Sequence, residues 1–150
     1  MYNVCLRILN DRDEAEDVLQ ESFISAFKNI GKYEGRSTFG AWLKRIVINN
    51  ALNHIKSKKL LFENIDGTHD QVEEANERDE EEMDLKVWKI KSALSELSDG
   101  FRSVLTLYLF EGYDHKEIGT ILDITESTSK TQYLRAKRKL LEIMKEKYNE

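Results

Sequence analysis

The sequence contains no proline, only seven glycines and a single cysteine, Cys5. Proline interrupts helices because it lacks a backbone N–H and fixes φ, so its absence allows long helices through most of the chain. One cysteine excludes an intrachain disulfide and a zinc site built on several thiolates, and it suits a reducing compartment. Runs of alternating polar and apolar residues are also scarce, so the pattern predicts helices rather than strands.

Long apolar runs are missing too. No stretch approaches the roughly 20 residues that a membrane-spanning helix needs, and the residues after Met1 do not read as a secretory signal sequence. We therefore expect a cytoplasmic protein without direct membrane insertion.

The residue combinations of an active site are absent as well. His54, His69 and His115 are scattered, and none has a partner at metal-ligand spacing. No nucleophile–base pair and no glycine-rich phosphate loop can be recognised. The sequence thus predicts a protein that binds and positions other molecules, with no metal, no cofactor, no small-molecule substrate and no enzymatic activity.

Charge is separated into blocks although the net charge is −5. Arg36–Lys59 holds six Lys or Arg and no acid, and Ser127–Lys147 holds seven bases against two acids. Between them, Glu63–Asp84 carries eleven acids and one base. Two separated basic blocks indicate one long polyanion that is contacted twice.

The acidic stretch is too highly charged to bury a core, so we interpret it as a linker. This predicts an all-α protein with two small helical domains, 1–60 and 85–150, joined by residues 61–84. Helical spacing within the domains predicts the following helices: the end of one at Met1–Asn10, then Asp13–Ile30, Ala41 to about Lys59, Leu85–Leu97, Phe101–Phe110, His115–Leu122, and Thr125 or Glu126 to about Lys145.

Acids crowd the first turn of the Asp13–Ile30 helix, as the helix dipole favours. The residues predicted to face the core there are Ala15, Val18, Leu19, Phe23, Ala26, Phe27 and Ile30. The outer face then offers Asp17, Gln20, Glu21 and Ile24. An ordinary solvated face is the alternative interpretation.

The basic helix has two distinct sides. Its predicted core side consists of Leu43, Ile46, Val47 and Ala51, and a second stripe consists of Trp42, Arg45, Asn49, Asn53 and Lys56. A cation, amides and an aromatic ring suit contacts with phosphates, base edges and unstacked bases. The preceding loop, Gly31–Gly40, adds Tyr33 and Phe39. The alternative interpretation is that this helix face is simply solvated and that the aromatic rings pack into the core of their own domain.

The C-terminal part has the spacing of a helix-turn-helix. Asp114 can cap a short helix, Asp123–Thr125 forms a tight turn, and a long basic helix follows. Its predicted inward residues are Ser129, Tyr133, Ala136, Leu140 and Ile143, and its outward residues are Ser127, Lys130, Thr131, Leu134, Arg135 and Arg138. A helical hairpin without a role in DNA binding is the alternative.

Three segments together resemble the extracytoplasmic-function (ECF, group IV) sigma factors of bacterial RNA polymerase. Asp11–Phe23 is similar to the family's polymerase-binding helix. Ser37–Ile46, with Asn49 after it, is similar to the segment that melts and recognises the −10 element. Glu111–Lys137 is similar to the helix-turn-helix that binds the −35 element.

The resemblance implies that the protein binds core polymerase, through the β′ coiled coil and the β flap, and promoter DNA, and that an anti-sigma factor regulates it. Such a partner can hold it at the inner membrane. The implied polymerase contacts are Asp17, Gln20, Glu21 and Ile24. The implied −10 contacts are Tyr33, Arg36, Ser37, Phe39, Trp42, Arg45, Asn49, Asn53 and Lys56. The implied −35 contacts are Ser127, Thr128, Lys130, Thr131, Leu134, Arg135 and Arg138.

The sequence departs from the family pattern at three places. The family usually has some twenty further residues before a segment like Met1–Asn10, so we expect a shortened first helix. Ser129 stands where the family usually has Val, which predicts weaker packing of the recognition helix, by about 1–3 kcal/mol. Gln132 replaces a common Arg and removes one charge directed at phosphate.

Two other classes of protein remain open from sequence. A free-standing helix-turn-helix regulator would explain Asp114–Lys145 but not the aromatic loop and basic helix. An adaptor that binds proteins through its acidic helix would show no salt-sensitive DNA affinity, contrary to what the basic blocks imply.

Overall fold

The computed structural model describes residues 1–63 and 82–148, so most of the predicted acidic linker lies outside the described residues. The chain divides into two compact units, Met1–Thr68 and His69–Glu150. Within the described ranges every regular element is helical, and the predicted all-α fold is confirmed. The elements are α1 (Tyr2–Leu9), α2 (Arg12–Lys28), a 3₁₀ turn (Ile30–Lys32), α3 (Phe39–Glu63), α4 (Glu82–Ser95), α5 (Asp99–Leu105), a π-helical turn (Thr106–Phe110), α6 (His115–Leu122) and α7 (Glu126–Tyr148).

The first unit is a three-helix assembly in which α1, α2 and α3 each pack on the other two. Asn10 ends α1 in the left-handed conformation, with φ 56°, and Asp11 begins α2 by accepting a hydrogen bond from Glu14 N. The first helix thus ends close to its predicted end at Asn10, and α2 begins one residue before the predicted Asp13. The core between the helices includes the fully buried side chains of Ile8, Val18 and Ile48.

The buried face of α2 differs from the predicted one. Ala15, Val18, Ser22 and Ala26 are buried, whereas Phe23, Phe27 and Ile30 are exposed; the exposed fraction of Phe27 reaches 74 %. Close packing of three helices leaves room only for small side chains on this face. The predicted core positions Ala15, Val18 and Ala26 are therefore confirmed, whereas the prediction is wrong for the bulky apolar residues.

Helix α3 continues to Glu63, past the end predicted near Lys59. Ser and Lys at its end tolerate helical geometry, and neither glycine nor proline stops it. Leu43, Val47 and Ala51 are buried as predicted, Ile48 and Leu52 join them, and Ile46 is only half-buried.

The second unit is built around α7, which packs on α4, α5 and α6. Its hydrophobic cluster includes Leu94, Leu105, Ala136 and Ile143. Ser98 rather than Asp99 caps α5, because its hydroxyl accepts from Phe101 N.

Asp99, the first residue of α5, forms an ion pair with the buried guanidinium of Arg102. The helix predicted to end at Phe110 does end there, through the π-helical turn, before Gly112 with φ 75°.

Gly112→Ala should lower the free energy of unfolding by about 1 kcal/mol, because alanine at this positive φ is strained although the space around it is open. Gly100→Ala is the matched control: this glycine lies in α5, also in open space, where alanine favours the helix. Urea denaturation of both variants measures the difference. Equal midpoints for the two would contradict the conformational explanation.

Candidate polymerase and nucleic-acid interfaces

The outer face of α2 is the first candidate interface. Asp17, Gln20, Glu21 and Ile24, all predicted from the sequence as polymerase contacts, are exposed. Phe27 lies three residues after Ile24 and seven after Gln20, so an apolar side chain adjoins the polar ones. Phe27 was predicted to lie in the core but is exposed. The signal that identifies it as a surface residue is the set of small residues on the opposite face of α2.

The beginning of α3 carries a cluster of three aromatic rings. The ring centroids of Tyr33 and Trp42 are 5.3 Å apart, and Phe39 lies 5.7 Å from each of them. Phe39 is exposed and Trp42 is half-buried, so neither ring belongs to the buried core. The cluster stands at the surface, where its edges and faces are available to flat ligands such as bases.

The loop before α3 is held in place by hydrogen bonds of its own residues. The hydroxyl of Tyr33 donates to the carbonyl of Ser37, and Gly35 supplies a positive φ of 73°. Arg36 is exposed and forms an ion pair with Glu34, with 2.9 Å between Nε and Oε2. Thr38 caps α3, since its Oγ1 accepts from Ala41 N at 3.2 Å.

The predicted stripe along α3 is accessible over its whole length. Asn49, Asn53 and Lys56 are exposed, and Trp42 and Arg45 are half-buried. Spaced by three and four residues, these side chains line one side of the helix, which follows the aromatic cluster. Amides and cations in this order can contact bases and phosphates of an extended strand.

The neighbouring Asn50 has a different role. Its Nδ2 donates to Ser22 Oγ at 3.1 Å, and this buried hydroxyl donates in turn to the carbonyl of Val18. The bond joins α3 to α2 and fixes the rotation of α3 about its axis. Asn49 is thereby directed to the surface. The sequence analysis did not identify Asn50, because its partner lies 28 residues away.

At the other end of α3, basic side chains contact α2 instead of being free for DNA. Lys58 Nζ lies 2.7 Å from Glu14 Oε1, and His54 Nε2 lies 3.6 Å from Glu14 Oε2. The contribution of such partly exposed pairs to stability is small, but they keep the end of α3 aligned with the first turn of α2.

The helix-turn-helix of the second unit has the predicted geometry. Asp114 caps α6 by accepting from Glu117 N at 2.8 Å, and this bond holds the pKa of the Asp114 carboxyl below its usual value. Asp123 makes the turn with φ 57°. Gly119 lies so close to the turn that a Cβ there would be 2.7 Å from the carbonyl oxygen of Ile124.

The start of α7 is capped by Thr125, whose hydroxyl oxygen accepts from Thr128 N at 3.0 Å. The Thr128 hydroxyl lies 2.8 Å from the same oxygen, so this predicted DNA contact is also part of the cap. The other predicted −35 contacts are exposed, namely Ser127, Lys130, Thr131, Leu134, Arg135 and Arg138. Lys130 pairs loosely with Glu126, at 3.6 Å.

The one cysteine of the chain lies in the buried core of the first unit. Burial raises the pKa of the Cys5 thiol to about 11, so the reactive thiolate is scarce at neutral pH. No cluster of metal-ligating side chains occurs in residues 1–63 and 82–148. Over the same part of the chain, no helix has the length and apolar character required to cross a membrane.

Comparison with known proteins identifies the class of protein that these interfaces define. Residues 1–60 match the Sigma-70 region 2 family, and residues 88–140 match the Sigma-70 region 4 family. The chain is 31 % identical to the RNA polymerase sigma-H factor of Pseudomonas aeruginosa, over 91 % of this chain and 76 % of that protein. It is also 31 % identical to the ECF RNA polymerase sigma factor SigW of Bacillus subtilis, over 93 % of this chain and 80 % of that protein.

A solved structure shows the same fold. The sigma factor RpoE of Bartonella quintana, in complex with the anti-sigma factor NepR, matches with a TM-score of 0.74 and 23 % identity, over 96 % of this chain and 89 % of that chain. The chain belongs to the ECF group of bacterial RNA polymerase sigma factors.

As a sigma factor, the protein binds core RNA polymerase and promoter DNA, and it directs transcription from specific promoters without catalysing a reaction itself. The alternative of a free-standing helix-turn-helix regulator is not favoured, because the first unit also matches its own sigma region.

Thr38→Ala should fray the first turn of α3, because removal of an N-cap hydroxyl costs about 1 kcal/mol. Amide hydrogen exchange should then rise at Gly40, Ala41 and Trp42. Thr38→Ser, which keeps the accepting oxygen, is the matched control and should exchange like the wild type. Unchanged exchange in Thr38→Ala would show that the aromatic cluster, and not the cap, holds this turn.

Proposed function

We propose that the three interfaces divide the work of promoter recognition. Residues 1–60 dock on the β′ coiled coil through α2 and open the −10 element through α3. Residues 61–84 form an acidic linker, and residues 85–150 read the −35 element. One observation carries most weight: the half-buried Arg45 and the exposed Asn49 and Asn53 form a line that leads away from a surface cluster of three aromatic rings.

Electrostatics support a protein partner for α2. Asp17 and Glu21 project from the exposed side of the helix, where they would repel DNA phosphates. A basic protein surface would instead find complementary charge there, with Gln20 between the acids and Ile24 one turn after Gln20 and Glu21. The buried side of α2 faces α1 and α3, so docking leaves the stripe on α3 free for nucleic acid.

Capture of unpaired bases is the physical basis proposed for melting. Unstacking a base costs a few kcal/mol, and stacking on an aromatic side chain returns about 1–3 kcal/mol per base. The Tyr33–Phe39–Trp42 cluster, with Arg36 and Ser37 in its loop, supplies stacking surfaces. Asn49 and Asn53 supply donors and acceptors for base edges, and Arg45 and Lys56 supply charge for phosphates.

In a recognition helix, the N-terminal residues usually contact base edges and other residues contact phosphates, and we propose the same for α7. Ser127, Lys130 and Thr131 lie near its N-terminus, which enters the major groove and reaches base edges. Arg135 and Arg138 lie one and two turns further on, where cations contact phosphates. Thr128 and Leu134 border the same exposed surface.

Further partners are proposed from exposed apolar surface. Leu85, Trp88 and Ile90 of α4 are exposed, which suits a protein partner such as the β flap. The complex of the Bartonella quintana sigma factor with an anti-sigma factor supports a similar partner here. We also propose a cytoplasmic location, with retention at the inner membrane when an anti-sigma factor is bound.

Charge reversal on the docking face should separate polymerase binding from folding. Asp17→Lys and Glu21→Lys should each weaken assembly with core polymerase about 5- to 30-fold, which corresponds to about 1–2 kcal/mol for a reversed interface charge. Glu16→Lys, an equal charge change on an exposed residue of the same helix, is the control. Assembly is measured by fluorescence anisotropy, and helicity by circular dichroism. If Glu16→Lys weakens assembly as much, net charge rather than this face is responsible.

Removal of the two amides should impair promoter opening without affecting docking. Asn49→Ala and Asn53→Ala should slow open-complex formation on a duplex promoter that wild-type holoenzyme transcribes, located by run-off transcription on genomic DNA. Asn3→Ala, an exposed amide on α1, should open the promoter at the wild-type rate.

Binding of both variants to core polymerase should stay normal, because the docking helix is unchanged. A pre-melted bubble should rescue Trp42→Ala if the ring separates the strands, but not if its loss unfolds the domain. If both Asn variants open the promoter at the wild-type rate, the stripe on α3 is only a solvated helix face.

A further inference from the structure

Ser129 is a polar residue in the buried face of the recognition helix. Its side chain is completely buried, on the same inward face as Tyr133 and Ala136. Burying a hydroxyl without a hydrogen bond is costly. Here its Oγ lies 2.9 Å from Nδ1 of His115, the first residue of α6. The two helices of the helix-turn-helix are thus joined by a buried polar bond in addition to apolar packing.

The imidazole of His115 is itself fixed by two aromatic rings. Tyr108, in the π-helical turn, stacks on it with ring centroids 4.6 Å apart and an interplanar angle of 13°. Tyr133, one turn after Ser129 on α7, lies 5.5 Å from the imidazole and 4.5 Å from the Tyr108 ring. His115 therefore contacts the turn before α6 and two successive turns of α7.

These contacts lie directly beneath the surface that the proposed function assigns to DNA. Lys130 follows Ser129 in the chain, and Leu134 follows Tyr133, and both are exposed. A hydrogen bond has a narrow range of distance and angle, whereas apolar packing tolerates sliding and rotation. A rotation of α7 about its axis that broke the Ser129 bond would also move Lys130 and Thr131 relative to α6.

We propose that His115 is a positioning residue for −35 recognition, which fixes the rotation of α7 through its bond to Ser129 and its stacking on Tyr108. This inference depends on the proposed function of α7 as the −35 reader. It also accounts for the serine at a position where apolar packing is expected: His115 replaces the lost apolar contact with a directional bond.

The test is a double-mutant cycle in complete holoenzyme, using a promoter located by run-off transcription and a copy of it with a scrambled −35 element. His115→Phe leaves the Ser129 hydroxyl unpaired, and Ser129→Ala leaves the His115 nitrogen unpaired. Each should reduce the preference for the intact over the scrambled element about 5- to 30-fold. The double variant replaces both partners by apolar groups, so it should regain stability, but its preference should stay reduced because the directional bond is still missing.

Ser103→Ala is the matched control for loss of stability alone. Ser103 is also buried, but its hydroxyl donates to the carbonyl of Asp99, so this bond stays within α5 and does not join it to the recognition helix. All measurements are made at a temperature at which circular dichroism shows every variant fully folded. Ser103→Ala should then lower the melting temperature without changing the preference for the −35 element.

Nitrogen chemical shifts of the His115 ring supply an independent readout. In the wild type they should report one fixed tautomer, and in Ser129→Ala a mixture of the two. This measurement tests the role of the His115–Ser129 bond even if His115→Phe fails to fold. The proposal is overturned if the single variants keep the wild-type preference, if Ser103→Ala loses as much, or if the tautomer is unchanged in Ser129→Ala. Failure of wild-type holoenzyme to distinguish the two promoters would instead refute the −35 function itself.

Discussion

The first unit depends on close contact between α2 and α3. Small side chains at Ala15, Ser22 and Ala26 allow the two helices to approach, and the bond from Asn50 to Ser22 fixes their relative rotation. Both functional faces follow from this constraint. Once these residues are inside, the acidic side of α2 and the amide stripe of α3 must point outward, because a helix has only one buried face here.

The second unit also has a hydrogen bond between a buried serine and a polar side chain of another helix. A buried serine on one helix, Ser129, bonds to a polar side chain of another, His115, among otherwise apolar contacts. Hydrogen bonds of this kind add only modestly to the free energy of unfolding but are costly to break. They are suited to fixing a helix whose exposed side must meet bases in one orientation.

The two surfaces that we propose to face DNA differ in chemistry, as their proposed targets do. The aromatic cluster and the amides of α3 offer flat surfaces and paired donors and acceptors, which an unstacked strand can use and a closed duplex cannot. The exposed side of α7 offers hydroxyls and cations on a single helix, which fits a major groove. The net charge of −5 conceals this, because the acids are concentrated in the middle of the chain.

Local interactions made much of the protein predictable from its sequence: helical periodicity, the caps at Asp11 and Asp114, the turn at Asp123 and the inward face of α7 all depend on residues within a few positions. The order of three motifs further indicated the family. Tertiary structure alone decided that Ser22 of α2 is buried while Phe23 and Phe27 are exposed. It also decided why Asn49 and Asn50 have different roles and which residue bonds to Ser129. These features depend on close packing between helices and on hydrogen-bond partners 28 and 14 residues away in the chain. The periodicity of a single helix carries no information about either.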